Sequence, residues 1–256
     1  MLLDANNRPI SDSHIKIISH RGFTEIAPEN TLPAYKLSKQ KGYKYVECDV
    51  AFTSDGYAVL LHDTTINRTS NGTGNISSLT FAQVRALDFG SWKSSKYAGE
   101  KIPTLEEFII LCKRLGLYPY IEIKDSLTAA TAKKLVDIVR RYGMLKYSTW
   151  TSDSQSDLAL IKAEYEGARL GLCLHSASTD AITWAVNNTT DKNEIFLYPR
   201  YTVVTSAFVE SCAAAGIPIE VWTPNTEADL KALDPYISGA ISDSLRANAP
   251  LYYEYE

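Results

Sequence analysis

Short apolar runs alternate along the chain with longer stretches whose apolar residues recur at helical spacing. The first run, residues 15–19, predicts a buried strand ending at His20, after which Gly22 and Pro28 mark a loop. Residues 31–41 predict a helix with Leu32, Tyr35, Leu37 and Ser38 facing inward and Gly42 as its stop. A second strand follows at 45–50, then a turn at Thr53-Ser54-Asp55-Gly56. The apolar run 58–61 predicts a further short strand that brings His62 to its end. From 64 to 101 the texture changes to Asn, Thr, Ser and Gly with scattered aromatics, an insertion expected to cap the site beside it.

Beyond the insertion the alternation is regular. Helix 103–114 opens at Pro103, with Thr104 as its cap, Glu106 and Glu107 in the first turn and Gly116 beyond its end. Strands are predicted at 118–124, 145–150, 169–174, 194–199, 217–222 and 238–241, with helices at 127–142, 153–164, 179–187, 205–215 and 226–233 between them. About eight strand and helix pairs in roughly 250 residues fit a closed (β/α)8 TIM barrel, with a small insertion after the second strand, better than an open doubly wound sheet. No Gly-x-Gly-x-x-Gly opens a helix after the first strand, which lowers the dinucleotide-binding alternative. The domain reading is a lead-in at 1–14 and one barrel at 15–256, with the capping insertion at about 64–101.

Composition narrows the partners. The 256 residues are 45% hydrophobic and 22% charged, with a net charge of −4, which suits a globular protein and argues against a nucleic-acid groove. No apolar run has the length of a transmembrane segment. The N-terminus as given carries no secretory signal, so a cytoplasmic address is expected, or an extracellular one if the chain is an excised domain. Cys48, Cys112, Cys173 and Cys212 are widely separated, without zinc-ligand spacing, and are expected to be buried free thiols.

Candidate chemistry lies at the strand ends. Glu47 and Asp49, spaced i, i+2 in a strand, share one face and would repel unless a cation or protons sat between them. The economical reading is a divalent metal with oxygen ligands; the other is a salt-bridge network with Arg21 and Lys124. His20 and His62 are candidates for general acid and base, because imidazole titrates near working pH. His20 is favoured as acid and His62 as base, although sequence leaves the assignment open. Arg21 and Lys124 offer fixed positive charge for a phosphate. Glu29 and Asn30 are expected to organise the loop below His20.

Nine pieces of the chain resemble the glycerophosphodiester phosphodiesterase family, in order and at plausible spacing. They are His20-Arg21-Gly22, Pro28-Glu29-Asn30-Thr31, Glu47-Cys48-Asp49, Thr53-Ser54-Asp55-Gly56, His62-Asp63, Arg68-Thr69 with Asn71-Gly72-Thr73-Gly74, Ile102-Pro103-Thr104-Leu105-Glu106-Glu107, Ile121-Glu122-Ile123-Lys124 and Val221-Trp222-Thr223. The resemblance implies that Glu47, Asp49 and Glu122 hold one divalent cation, Ca2+ or Mg2+. It implies that His20 and His62 are catalytic and that Arg21, Lys124 and Trp222 meet substrate, with Trp222 walling the glycerol or alcohol side. The implied reaction is attack of the glycerol 2-hydroxyl on its own phosphodiester, then hydrolysis of the cyclic phosphate to glycerol 3-phosphate.

The partner this implies is a small glycerophosphodiester. An alternative keeps the site but makes the chain a module of a larger surface or phage-tail protein that cleaves a glycerol phosphate polymer such as teichoic acid. A second alternative is a catalytically idle barrel used for binding. It is disfavoured because none of the five metal and histidine candidates is missing. Sequence does not predict the oligomeric state.

Overall fold

The computed structural model describes residues 15–189, 194–233 and 237–245. The predicted lead-in at 1–14 and the aromatic-acidic end at 252–256 lie outside the described residues. Nine strands are found among those described: β1 (Lys16–Ser19), β2 (Tyr45–Phe52), β3 (Ala58–Leu60), β4 (Tyr118–Ile123), β5 (Thr149–Ser152), β6 (Arg169–Leu174), β7 (Ile195–Pro199), β8 (Ile219–Trp222) and β9 (Ile237–Ser242). All except β3 pair in parallel. Strand β1 closes the sheet by pairing with β9 on one side (Ile18 opposite Ile241) and β2 on the other (Ile18 opposite Tyr45). The result is an eight-stranded parallel barrel with helices between strands, as the alternation of patterns predicts.

The helices are α1 (Leu32–Gln40), α2 (Phe81–Ala86), α3 (Leu105–Leu115), α4 (Ala129–Arg141), α5 (Gln155–Glu164), α6 (Thr179–Asn188), α7 (Ser206–Ala215) and α8 (Glu227–Ala232). Helix α3 begins after Thr104, two residues later than expected from Pro103. The Thr104 hydroxyl accepts from the Glu107 amide, while the Glu107 side chain returns to the Thr104 amide, so two orphan donors are satisfied reciprocally. The buried face of α1 is Ala34, Tyr35 and Ser38; Leu32 and Leu37, expected inside, are only half-buried. Gly22 explains this shift. A Cβ there would lie 2.5 Å from the Ala34 Cβ, so the loop after β1 packs directly on α1 at the small residue.

Two strand expectations are corrected by the geometry. The run 58–61 does form a strand, but β3 is antiparallel to β2, with Val50 opposite Leu60 and Phe52 opposite Ala58. It is a hairpin return, outside the barrel's parallel ring. The run predicted as strand 145–150 divides into a turn of 3-10 helix, Leu145–Tyr147, and a strand that starts only at Thr149.

Three apolar clusters hold the fold. The largest lies between strands and helices, and includes Val46, Cys48, Val50, Ile121, Trp150 and Leu170 from the strands. Inside the barrel, Ile18, Tyr120, Cys173, Phe196, Tyr198 and Ile241 form a separate layer. The insertion carries its own small core, in which Ile66, Ile76, Val84 and Phe89 pack on Ala51, Val59 and Leu61 of the hairpin. All four cysteines are buried and free. No helix among the described residues is long and apolar enough to cross a membrane.

Candidate active site

Glu47 and Asp49 alternate with the core residues Val46, Cys48 and Val50, so both point to the barrel interior from β2. Asp49 stands opposite Glu122 of β4 in register. Each of Glu47, Asp49 and Glu122 thus brings a carboxylate oxygen to within 4.8 Å of the other two, with Glu47 and Asp49 fully buried. The neighbours only partly compensate this charge. Glu47 Oε2 accepts the Arg21 amide at 2.8 Å, Asp49 Oδ2 accepts Asn30 Nδ2 at 2.8 Å, and Glu122 Oε1 accepts Lys124 Nζ at 2.8 Å. Glu47 Oε1 and Asp49 Oδ1 are buried with no partner among the described residues. Such orphaned oxygens are costly, and three hard oxygens this close can share a divalent ion at metal–oxygen distances of about 2.0–2.6 Å. The donor set therefore fits a divalent cation.

The electrostatics divide the pair. Burial, reinforced by the charges of Asp49 and Glu122, pushes the Glu47 carboxyl well above the usual range. Burial acts on Asp49 too, but Arg21, His62, Lys124 and the Asn30 hydrogen bond outweigh it and hold Asp49 below that range.

The two histidines follow β1 and β3, which both pair along the edge of β2 away from β4. His20 follows β1, and its amide continues the barrel ladder to Ser242 O at 3.0 Å. His62 follows β3, whose return places Leu61 against Asp49, the Leu61 amide donating to Asp49 O at 3.0 Å. Each imidazole is held by a carboxylate at Nδ1: His20 by Asp243 Oδ1 at 2.6 Å and His62 by Asp63 Oδ1 at 2.8 Å. Burial raises the Asp243 carboxyl, and the bond and charge of His20 with the bond from Asn225 more than reverse it. Hydrogen bonds from Arg68, then His62, hold Asp63 far below the usual range. Both acids are therefore ionised acceptors. A carboxylate at Nδ1 favours the tautomer whose proton lies there, with Nε2 as the acceptor.

The loop between β1 and α1 assembles the cationic side. Arg21 and Asn30 take left-handed backbone, φ 53° and 55°, and Asn30 Nδ2 reaches Asp49 while its Oδ1 accepts from Tyr35 OH at 2.9 Å. The Arg21 guanidinium lies 3.1 Å from both Glu29 Oε1 and Asp49 Oδ2. Across the mouth, the Trp222 indole donates to Tyr198 O at 2.9 Å and meets the His175 ring edge to face at 5.2 Å.

The structure thus gathers Glu47, Asp49 and Glu122 in one cluster, joins Arg21 and Lys124 to it by ion pairs, and brings His20 and His62 in after β1 and β3, the two strands other than β4 that pair with β2. Trp222 ends β8 on the same face of the barrel. Sequence reasoning assigned no role to Asp63, Asp243, Asn225 or Arg68. The pairs His62-Asp63 and Arg68-Thr69 were visible as motifs. Nothing local in the sequence ties Asp243 to His20, 223 positions away.

Comparison with known proteins gives the family of this barrel. The sequence model of the glycerophosphoryl diester phosphodiesterase family matches residues 20–246. A glycerophosphodiester phosphodiesterase of Caldanaerobacter subterraneus subsp. tengcongensis is 29% identical over 230 residues, spanning 89% of this chain and 93% of that protein. Human glycerophosphodiester phosphodiesterase 1 is 41% identical over a shorter stretch, 119 residues, covering 46% of this chain and 36% of that one. An Oleispira antarctica phosphodiesterase, solved in complex with the product sn-glycerol-3-phosphate, superposes with a TM-score of 0.82 at 28% identity, covering 89% of this chain and 92% of that one. The chain belongs to the glycerophosphoryl diester phosphodiesterase family, and it is an enzyme that hydrolyses glycerophosphodiesters.

Proposed function

We propose that the enzyme depends on one divalent cation, Ca2+ or Mg2+, held by Glu47, Asp49 and Glu122, and uses His20 and His62 as its proton carriers. The observation that carries this reading is the carboxylate cluster with two buried, unpartnered oxygens, together with two imidazoles, at the ends of strands that pair with β2, each anchored at Nδ1. When bound, the cation polarises the phosphate and offsets its charge. Arg21 and Lys124 add fixed positive charge at the same face, and Trp222 walls the alcohol side.

His62 Nε2 takes the proton of the glycerol 2-hydroxyl as that oxygen bonds to phosphorus. The bond from phosphorus to the alcohol oxygen breaks, and His20 Nε2 gives that oxygen its proton. The roles then reverse. His20 takes a proton from water as it attacks the cyclic phosphate, and His62 returns its proton to the 2-oxygen. Glycerol 3-phosphate and a free alcohol leave, and both imidazoles end as they began.

The test is glycerol 3-phosphate release from glycerophosphocholine by the wild type, His20→Ala and His62→Ala, each with EDTA and after Ca2+ or Mg2+ is restored. Loss of about 10²–10⁴-fold in each histidine variant is expected, with a wild type that is silenced by EDTA and recovers with metal. A chelated wild type or a His62→Ala variant at full rate would sink the mechanism.

A further inference from the structure

We propose that Arg68, in the capping insertion, is a positioning residue for the diesterase reaction. Its one guanidinium holds Asp63 against His62 and Glu29 against Arg21, and so sets both a proton carrier and a phosphate-side cation. This rests on the roles proposed above for His62 and Arg21.

The geometry is a double fork. Arg68 Nε donates to Asp63 Oδ2 at 2.7 Å and Nη2 to Asp63 Oδ1 at 3.0 Å. On its other edge, Nη1 donates to Glu29 Oε2 at 2.6 Å and Nη2 to Glu29 Oε1 at 2.8 Å. Four of the five N–H groups of a guanidinium are thus used, in the planar arrangement that an ammonium lacks. The oxygen of Asp63 that receives Nη2 is also the one that receives His62 Nδ1. The oxygen of Glu29 that receives Nη2 also receives Arg21 Nη1. A chain of alternating charge therefore runs from the His62 imidazole through Asp63, Arg68, Glu29 and Arg21 to Asp49.

The other histidine is supported differently. Among the described residues, Asp243, which anchors His20, receives only a neutral side-chain amide on its second oxygen, Asn225 Nδ2 at 3.1 Å. The partner of Asp63 is a cation shared with the loop that carries Arg21. The burial of Glu29 alone would raise its carboxyl, yet Arg68 and then Arg21 hold it below the usual range, as expected for an ionised link between two guanidinium groups. The insertion does more than cover the site, because this residue ties its chain to the loop after β1.

The experiment compares Arg68→Ala and Arg68→Lys with wild type in the full chain, by steady-state kinetics on glycerophosphocholine and by the ring nitrogen NMR signals of His62. The expected kcat falls about 10–100-fold while KM changes far less, and the His62 ring, a single Nδ1–H tautomer in wild type, becomes a mixture in both variants. Arg68→Lys is expected to restore little, because one ammonium cannot fork to two carboxylates. In an Asp63→Ala background, removing Arg68 should add less than it does alone. Wild-type kcat in both variants, an unchanged His62 tautomer or strictly additive losses with Asp63→Ala would each overturn the proposal. Should Arg68→Ala fail to fold, Arg68→Lys carries the test through the same two readouts. A failure of the underlying mechanism is distinguishable, since it would leave His62→Ala itself active.

Discussion

The two ends of the barrel both bury carboxylates, and they treat them in opposite ways. At the floor, where the strands begin, Glu220 of β8 is fully buried, and its Oε1 receives Lys16 Nζ, Arg169 Nη2 at 2.9 Å and Tyr120 OH at 3.3 Å. Two cations and a phenol serve one acid. At the mouth, the three acids Glu47, Asp49 and Glu122 share the cations Arg21 and Lys124 and the Asn30 amide; among the described residues an unpartnered buried oxygen occurs at both ends, Glu220 Oε2 at the floor and Glu47 Oε1 and Asp49 Oδ1 at the mouth. The floor carries two cations for one acid and is a structural ion cluster. The mouth carries two for three acids and, on the proposed reading, is complete only with another cation. The contrast separates the two clusters without reference to any motif, because it rests on the ratio of cations to acids.

The largest effect should come from taking the cation away. Exhaustive chelation is expected to cost several kcal/mol of transition-state stabilisation, about a thousand-fold in kcat/KM, recovered when Ca2+ or Mg2+ is returned. Glycerol 3-phosphate release reads it directly. Full activity after chelation would mean that the mouth, like the floor, is already complete.

Next in size is the response of each end to losing an acid. Glu220→Ala strands Lys16 and Arg169 against a buried void and should destabilise the fold by about 3–5 kcal/mol, while the folded fraction keeps its turnover. Glu47→Gln should do the reverse in metal-free protein: stability rises and activity is lost. The sign follows from the raised Glu47 carboxyl. Its contribution to stability is fully present below the unfolded value and is lost as pH rises through the folded one. The gain from Glu47→Gln should therefore be larger at about pH 8 than at about pH 5, at about 2–4 °C in melting temperature per kcal/mol. Thermal melts with EDTA present check both variants, and destabilisation by Glu47→Gln would erase the contrast between the ends.

What could be read in the sequence follows the same division. The period of apolar residues is local, so the eight-stranded alternation and the strand ends at His20, Asp49 and Glu122 were legible. The direction of a strand is not local. The run 58–61 looks the same whether it extends the parallel ring or turns back on β2, and only pairing with Val50 and Phe52 makes β3 a hairpin. Likewise, the i, i+2 spacing shows that Glu47 and Asp49 share a face, whereas the Asp243 support of His20 joins residues 223 apart and required the closed barrel. The floor was invisible for that reason. Lys16, Tyr120, Arg169 and Glu220 come from four strands, and none stands in a recognisable motif.

The smallest predicted effect asks whether the two ends are independent. Between them lies the interior layer that includes Tyr120, Phe196 and Ile241. Gly171 of β6 makes room for it: a Cβ there would stand 2.3 Å from the Phe196 Cζ. The Phe196 ring centroid also lies 4.2 Å from the Arg169 guanidinium carbon. Gly171→Ala should therefore overpack the barrel by about 1–3 kcal/mol, and the displaced ring should pass the strain to the floor through Arg169. Combined with Glu220→Ala, the loss of stability should be less than the sum of the two, with turnover of the folded double variant within about two-fold of wild type. Melting curves and glycerol 3-phosphate release on the same samples separate the outcomes. If Gly171→Ala instead lowers kcat while stability is kept, the apolar layer transmits to the carboxylate cluster, and mouth and floor are one electrostatic system joined through a single ring.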